Sequence, residues 1–325
     1  MDFGLQLIGL DWPRLRDVAQ AAEGLGFQTL QVPDHIVGEG PERQINREHL
    51  SYDSMVVLAV LAEATKKVSI GHLVACNLFR HPAIAAQSLM SLDRLSEGRL
   101  IVGLGTGWTE SEFHMSGIPF PEIGARLRML DEALTCMRSL WTNQETTFTG
   151  EFYQLRDAIL WPKPVQQPHP PILVGGGGRG LLRVAAKHAD IVNIISDAGK
   201  AGYISLANVA NLTNDSYRAK VRFLREEAHK HGRDGDAIKI SNFAFSTVIT
   251  DSPAATQAMA EAMAPMFNVP AEAMLQSPMA LIGTPEQCIA ELQRRRREWD
   301  VSQVIFAFAG EDVMRRLAEQ VLPHV

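Results

Sequence analysis

The sequence predicts a single (β/α)8 barrel, and three observations lead there. Short runs rich in β-branched residues alternate with longer helical patterns from end to end, which is the signature of parallel βαβ units. Eight such pairs fit into 325 residues, whereas a barrel typically needs ~250 before insertions. No Ser/Gly/Pro linker or shift of composition separates the halves. Residues 1–325 therefore read as one barrel domain, with insertions after strands two, four and seven.

Phe3 to Ile8 reads as strand one and Pro13 to Leu25 as the first helix, with a proline near its start and Gly26 past its end. Thr29 to Val32 is strand two. A polar excursion from Gly38 to Ser51 precedes a helix from Asp53 to about Thr65, and Val68 to Ala75 is strand three. Pro82 opens the third helix, which carries Ile84, Ala85, Ser88, Leu89 and Leu92 on one face, and Leu100 to Leu104 follows as strand four. Arg126 to Trp141 is a helix. Thr146 to Pro171 has strand propensity and several prolines, and leaves the regular pattern before strand five, Ile172 to Val174. Leu181 to Lys187 is a helix, Ile191 to Ile195 strand six, and a loop then leads to a charged helix from Asp215 to His231. Ile240 to Ile249 is strand seven, followed by a helix from Pro253 to about Met263 and a Met- and Pro-rich loop. A helix from Pro285 to Trp299, strand eight from Gln303 to Phe308 and a last helix from Asp312 to Val321 complete the pattern.

A net charge of −6, from 31 basic and 37 acidic residues spread along the chain, leaves no basic field for a nucleic-acid backbone or an anionic membrane. The expected partner is a small-molecule substrate. Cys76, Cys136 and Cys288 are single and far apart, which suits a reducing compartment and neither a disulfide framework nor a Cys-x-x-Cys site. The chain enters a strand-like run within three residues of Met1, and no stretch approaches ~18 consecutive apolar residues. A cytoplasmic location is the expectation.

Barrels carry their chemistry at the C-terminal ends of the strands. After strand five, Gly175, Gly177 and Gly180 satisfy G-x-G-x-x-G, with Asp197 22 residues beyond Gly175, as in a dinucleotide fingerprint. A Rossmann domain there would need a separate domain in front of it, and no boundary is visible. Glycines at a helix N-terminus also serve a barrel phosphate site. Gly103-Leu104-Gly105-Thr106-Gly107-Trp108 ends strand four, where a flat ligand can approach the backbone and the Trp108 indole can wall a pocket. Pro33-Asp34-His35 sets a carboxylate and an imidazole at the end of strand two, suited to proton transfer or to ordering the loop. His72 and His114 are further candidates, each with the competing reading of a buried histidine bonded to a carbonyl. No metal-ligand spacing occurs, and no Gly-x-Ser-x-Gly elbow. Arg294 to Arg297, late in a helix, reads as a solvated face.

Taken together, these residues resemble the luciferase-like monooxygenase superfamily of flavin and deazaflavin enzymes over almost the whole chain. The strongest stretch runs from Ser69 to Pro121. It contains Ser69-Ile70-Gly71-His72-Leu73-Val74, Arg80-His81-Pro82, Leu92-Asp93-Arg94-Leu95-Ser96-Glu97-Gly98-Arg99, the glycine cluster ending at Trp108, and Gly117-Ile118-Pro119-Phe120. Val32-Pro33-Asp34-His35, Pro171 to Gly180 and Leu281-Ile282-Gly283-Thr284-Pro285-Glu286 follow the family order as well.

Within the superfamily the chain looks most like the actinobacterial branch that uses coenzyme F420, a 5-deazaflavin that passes hydride from C5, with FMN as the alternative cofactor. The resemblance implies a homodimeric oxidoreductase with the ring at the C-terminal face of the barrel, over Leu73 and Val74 and beside Gly105, Thr106 and Gly107. It puts the phosphate tail near Gly176, Gly177, Gly178 and Arg179, and a non-prolyl cis peptide at Leu73-Val74. Asp34 and His35 are the implied proton-carrying or cofactor-touching residues. Trp12, Trp108, Phe113 and the further catalytic candidate His114 shape the substrate side. Where the sugar-phosphate dehydrogenases of the family have a glutamate, this chain has Trp108, so the expected substrate is apolar or aromatic. The rival readings are an FMN-dependent (FMNH2/O2) monooxygenase, a Rossmann NAD dehydrogenase using Gly175 to Gly180 and Asp197, and a non-catalytic flavin-binding protein.

Overall fold

The computed structural model describes residues 1–39, 45–46, 50–197 and 212–325. Among them, eight parallel strands close into a barrel: β1 (Asp2–Gln6), β2 (Thr29–Val32), β3 (Ser69–His72), β4 (Leu100–Gly105), β5 (Ile172–Gly175), β6 (Ile191–Ile194), β7 (Lys239–Ala244) and β8 (Val301–Ala307). Each pairs with the next. β8 returns to β1 in the register Ile305↔Gly4, and β4 meets β5 at Gly103↔Leu173. The helices between them are α1 (Trp12–Gly24), α2 (Ser54–Ala64), α3 (Pro82–Leu95), α4 (Glu110–Ser116), α5 (Ile123–Thr142), α6 (Arg179–His188), α7 (Asn214–Lys230), α8 (Pro253–Phe267), α9 (Ala271–Gln276), α10 (Pro285–Trp299) and α11 (Glu311–Arg316). Pro13, Pro82, Pro253 and Pro285 each stand at the start of a helix, where a missing N–H costs nothing. No helix of the described residues is long and apolar enough to cross a membrane.

Parallel register carries one face of every strand inward. Leu73, Ile101, Leu173, Ile191 and Ile305 form a small apolar cluster within the barrel, separate from the large core between sheet and helices. Around it the lining is polar: Asn193 donates to the Ser241 hydroxyl at 2.9 Å, and Gln303 reaches Thr29 at 3.5 Å across the intervening β1. Such polar side chains stand where bulky branched apolar ones usually fill a barrel.

Three expectations need correction. Strand three, read as Val68 to Ala75, is interrupted at Leu73–Val74 and resumes at Ala75–Cys76 beside the end of β4. Strand seven, read as Ile240 to Ile249, breaks at Phe245. Ser246–Ile249 leaves the barrel to pair with Ala280–Gly283, a parallel strand in what reads from sequence as a Met- and Pro-rich loop. Arg295, assigned to a solvated face, is fully buried. Its Nε meets Glu291 at 2.8 Å and its Nη1 meets Asn242 Oδ1 at 2.8 Å and the Pro278 carbonyl at 3.1 Å, which pins the insertion after β7 to α10.

The excursion 146–171 contains an antiparallel hairpin, Thr146–Thr149 with Gln154–Ala158, and then descends to the N-terminal end of the barrel. There the Asp93 carboxylate accepts from the N–H groups of Val165 and Gln166, and the Gln166 amide donates to the carbonyl of Leu100, the first residue of β4. The insertion after strand two pairs Gly38–Glu39 antiparallel with Ile45–Asn46. Its remainder at 40–44 and 47–49, and the loop at 198–211 beyond β6, lie outside the described residues.

Candidate active site

Beyond the C-terminal ends of β3, β4 and β5 the backbone forms a floor at Leu73–Val74, whose peptide is cis. Val74 occupies the room left by two glycines: a Cβ on Gly105 would lie 2.7 Å from Val74 Cγ2, and one on Gly175 would lie 2.8 Å from Val74 Cγ1. The space at Gly105 is therefore filled by protein. From below, the Gln6 amide donates to the Leu73 carbonyl at 2.5 Å. Gly107, in the left-handed region at φ 74°, lies against the Cys76 thiol and the Phe113 ring, and the buried Arg126 holds its carbonyl at 2.5 Å.

Asp34 is buried, and both carboxylate oxygens are fully engaged. Oδ1 accepts from the Ser54 hydroxyl at 2.5 Å and Arg80 Nη2 at 3.2 Å; Oδ2 accepts from the Cys76 N–H at 3.0 Å and Arg80 Nη1 at 2.7 Å. Arg80 also bonds Asp53, the N-cap of α2, at 2.7 Å. Burial pushes the Asp34 carboxyl up, but His72, the Arg80 guanidinium and the Ser54 hydroxyl outweigh it, and the group stays below its ordinary value. Asp34 thus ties the end of β2 to α2 and to the segment before α3, with no lone-pair site left for proton transfer.

Behind it, His72 Nε2 lies 3.1 Å from Ser54 Oγ. Because that hydroxyl gives its hydrogen to Asp34, the ring is the donor, leaving a bare Nδ1 with no partner among the described residues. Complete burial, reinforced by Arg80 and opposed by the Asp34 charge, lowers the ring's pKa to about 4. At neutral pH it carries no charge, and Arg80 is the standing cation beside Asp34. The reading of His72 as bonded to a carbonyl gives way to this Ser54 contact.

His35 stands one residue further out. Its Nδ1 lies 3.1 Å from Oε2 of Glu112 on α4, while Oε1 of the same carboxylate accepts from the N–H groups of Ile36 at 2.5 Å and Val37 at 3.1 Å. Glu112 is 2 % exposed and the His35 side chain 26 %. The Trp108 ring meets the imidazole edge-on at 5.5 Å. His114 is exposed on the opposite face of α4 from Glu112, away from Asp34 and His35. Phe113, expected on the substrate side, is 1 % exposed and packs against Phe120 at 4.5 Å and Phe79 at 5.2 Å, where it anchors α4.

The glycine loop after β5 owes its composition to close packing. A Cβ on Gly177 would fall 2.0 Å from the Ile195 carbonyl oxygen, and Gly176 has φ 151°. The N-cap of the following helix is Gly178, which has no side chain of its own to offer the first turn of α6, and the Asp197 carboxylate stands 3.2 Å from where a Cβ on Gly178 would lie. Lys220 donates to the Gly177 carbonyl at 2.5 Å and is half-buried, and desolvation lowers its pKa. The Arg179 guanidinium turns away and lies 4.2 Å over the Phe223 ring. Because this loop follows the fifth strand of a closed barrel, it is not the first turn of an open Rossmann sheet, and the NAD-fingerprint reading falls with it.

Aromatic and aliphatic side chains rim this end of the barrel. Trp12 stacks on Tyr52 at 4.1 Å; Ile8, Ile36 and Phe245 are exposed beyond β1, β2 and β7; Trp108 and Thr106 are part-buried beyond β4. Sequence reasoning passed over Ser54, Glu112 and Arg126 and gave Arg80 no role. A glutamate in the first turn of a helix reads only as complementing the macrodipole, although its three-residue step from Thr109 was visible.

Comparison with known proteins agrees with the barrel fold. The family model described as luciferase-like monooxygenase matches residues 4–303. An F420-dependent glucose-6-phosphate dehydrogenase of Gordonia bronchialis is 34% identical over 228 residues, 69% of this chain and 61% of that protein. An FMNH(2)-dependent dimethylsulfone monooxygenase of Pseudomonas putida is 32% identical over 176 residues, 54% of this chain and 46% of that one. The chain thus spans about half to three fifths of the length of the curated relatives it matches. In structure, an F420-dependent secondary alcohol dehydrogenase solved with an F420-acetone adduct superposes with a TM-score of 0.79 at 21% identity, covering 98% of each chain.

Proposed function

Since this chain belongs to the luciferase-like monooxygenase family, we propose that it is an F420-dependent oxidoreductase acting on a small apolar or aromatic substrate. The observation that carries the reading is a juxtaposition at one end of the barrel. The Leu73–Val74 floor lies between the glycine-loop helix with Lys220 on one side and His35 on the other. The cradle fits a planar ring with an anionic tail. Leu73, Val74 and Thr106 support the ring, and the backbone N–H groups from Gly176 to Arg179, with Lys220, hold the phosphate. The bound deazaflavin supplies hydride transfer at C5. His35 gives or takes the accompanying proton on the substrate oxygen through its outer nitrogen, which has no partner among the described residues. Ile8, Trp12, Ile36, Tyr52, Trp108 and Phe245 exclude water and select an apolar substrate. Asp34 positions the loop through Arg80 and Ser54 and is no proton carrier.

FMN is the second reading, favoured by the likeness to the Pseudomonas putida monooxygenase; reduced flavin with oxygen would then make the reaction a monooxygenation. Titrating the purified protein separately with F420 and FMN tests the choice. F420 binding followed by turnover across a panel of alcohols and aldehydes is expected. Tight FMN binding with no F420 binding, or oxygen uptake with the reduced cofactor, overturns the deazaflavin reading, and cofactor retention without turnover would make the protein a carrier. The resemblance also supports a single-domain homodimer, and three free, buried cysteines suit a reducing cytoplasm.

A further inference from the structure

We infer that Glu112 is the positioning residue that fixes the tautomer of His35, so that Nε2 of the neutral ring is a proton acceptor. The inference rests on the reading of His35 as the proton carrier. One buried carboxylate meets three donors on a segment 75 to 77 residues away: the N–H groups of Ile36 and Val37 share Oε1, and the His35 ring faces Oε2 through Nδ1. A carboxylate only accepts hydrogen bonds. Nδ1 must therefore hold a hydrogen, and the neutral ring keeps its lone pair on Nε2.

Glu112 has little freedom to release the ring. Its N–H bonds the Thr109 carbonyl, its own carbonyl accepts from Ser116 at 2.7 Å, and Phe113 beside it is wedged among aromatic rings. The His35 carbonyl is held separately by the Ser51 hydroxyl, so the loop has a second tether that does not involve the ring. Glu112 is the charged side chain in contact with the imidazole among the described residues, and Asp34, its neighbour in sequence, is spent on Arg80, Ser54 and Cys76.

The test is Glu112→Gln, which keeps the shape and an oxygen for Ile36 and Val37 but turns an NH2 toward the ring. His35 must then accept at Nδ1, its proton moves to Nε2, and an acceptor becomes a donor. Nitrogen-15 histidine spectra of the cofactor-free protein at about pH 8.5, with His35→Gln to assign the signals, read the tautomer directly. Expected is an unprotonated Nε2 in the wild type and an unprotonated Nδ1 in Glu112→Gln. A wild type with Nδ1 unprotonated overturns the inference, and so does a variant whose pattern is unchanged. The wild-type spectrum decides even if the variant does not fold. In turnover, the variant should lose roughly 10²-fold in kcat with the cofactor Kd unchanged. A wild type that turns over with neither F420 nor FMN defeats the functional reading alone, since the spectra do not depend on it.

Discussion

Between about pH 7.5 and about pH 5 the wild-type fold should lose about 2 kcal/mol of stability to the His72 ring. The ring's ordinary value of 6.5 falls to about 4 in the folded protein, because it is wholly buried and Arg80 stands nearby. In that window the unfolded chain binds a proton that the folded one refuses. Stability is complete above the unfolded value and drains as the pH falls toward the folded one, to about 3 kcal/mol in total. The geometry gives the cause: the added proton would sit on Nδ1, which has no acceptor among the described residues, beside a cation already shared by Asp34 and Asp53.

Urea unfolding followed by tryptophan fluorescence, with wild type and His72→Gln compared at each pH, isolates this effect from other titrating groups. Glutamine can donate to Ser54 as the ring does, so its cost in packing is a constant offset. The gap between the two proteins should narrow by about 2 kcal/mol across the range. A gap constant to about 0.5 kcal/mol over that range would mean that His72 is not the neutral buried ring inferred here.

Arg80→Gln strands the Asp34 carboxylate in the interior and should cost about 3 kcal/mol in the same unfolding assay near neutral pH; a cost below about 1 kcal/mol would mean that Asp34 finds another partner. Burial raises the Cys76 and Cys288 thiols to about 12 and Cys136 to about 11, so a thiol reagent near neutral pH should modify none in the native protein and all three after unfolding. Lys220→Met should weaken F420 or FMN binding about tenfold, as expected for one charge-assisted contact, and reduce the salt dependence of the Kd; unchanged binding would remove Lys220 from the phosphate site.

The barrel was legible because its signals are local. Prolines at helix starts, glycines past helix ends and short β-branched runs each declare themselves within a few residues, and the paired strands follow in chain order. What was hidden depends on distant partners. Nothing at Phe245 announces that the strand leaves the barrel there, since the reason is Ala280–Gly283, and Arg295 looks like its exposed neighbours until Asn242 and the carbonyl of Pro278 come to meet it. The glycines read most easily of all and were the most easily misassigned. Gly105, Gly175 and Gly177 are demanded by Val74 and by the Ile195 carbonyl, and only then by a ligand.

The same distinction sorts the residues of the site. Asp34 and His35 are adjacent in sequence and look like one acid-base pair, yet the fold separates their duties. Asp34 meets four donors and a neutral ring behind them, and its charge is consumed in joining β2, α2 and the start of α3. His35, one residue later, is held by a single acceptor on one nitrogen, and the proposed function gives the other nitrogen the chemistry. A site that needs one proton beside a hydride requires one adjustable group on a rigid mount, and a second ionisable group free to share its charge would blur the protonation state of the first. By saturating Asp34, neutralising His72 and turning His114 outward, the fold would, under the proposed function, leave the proton to one imidazole. On the same proposal the surrounding indoles and aliphatic side chains would decide which substrate can approach it.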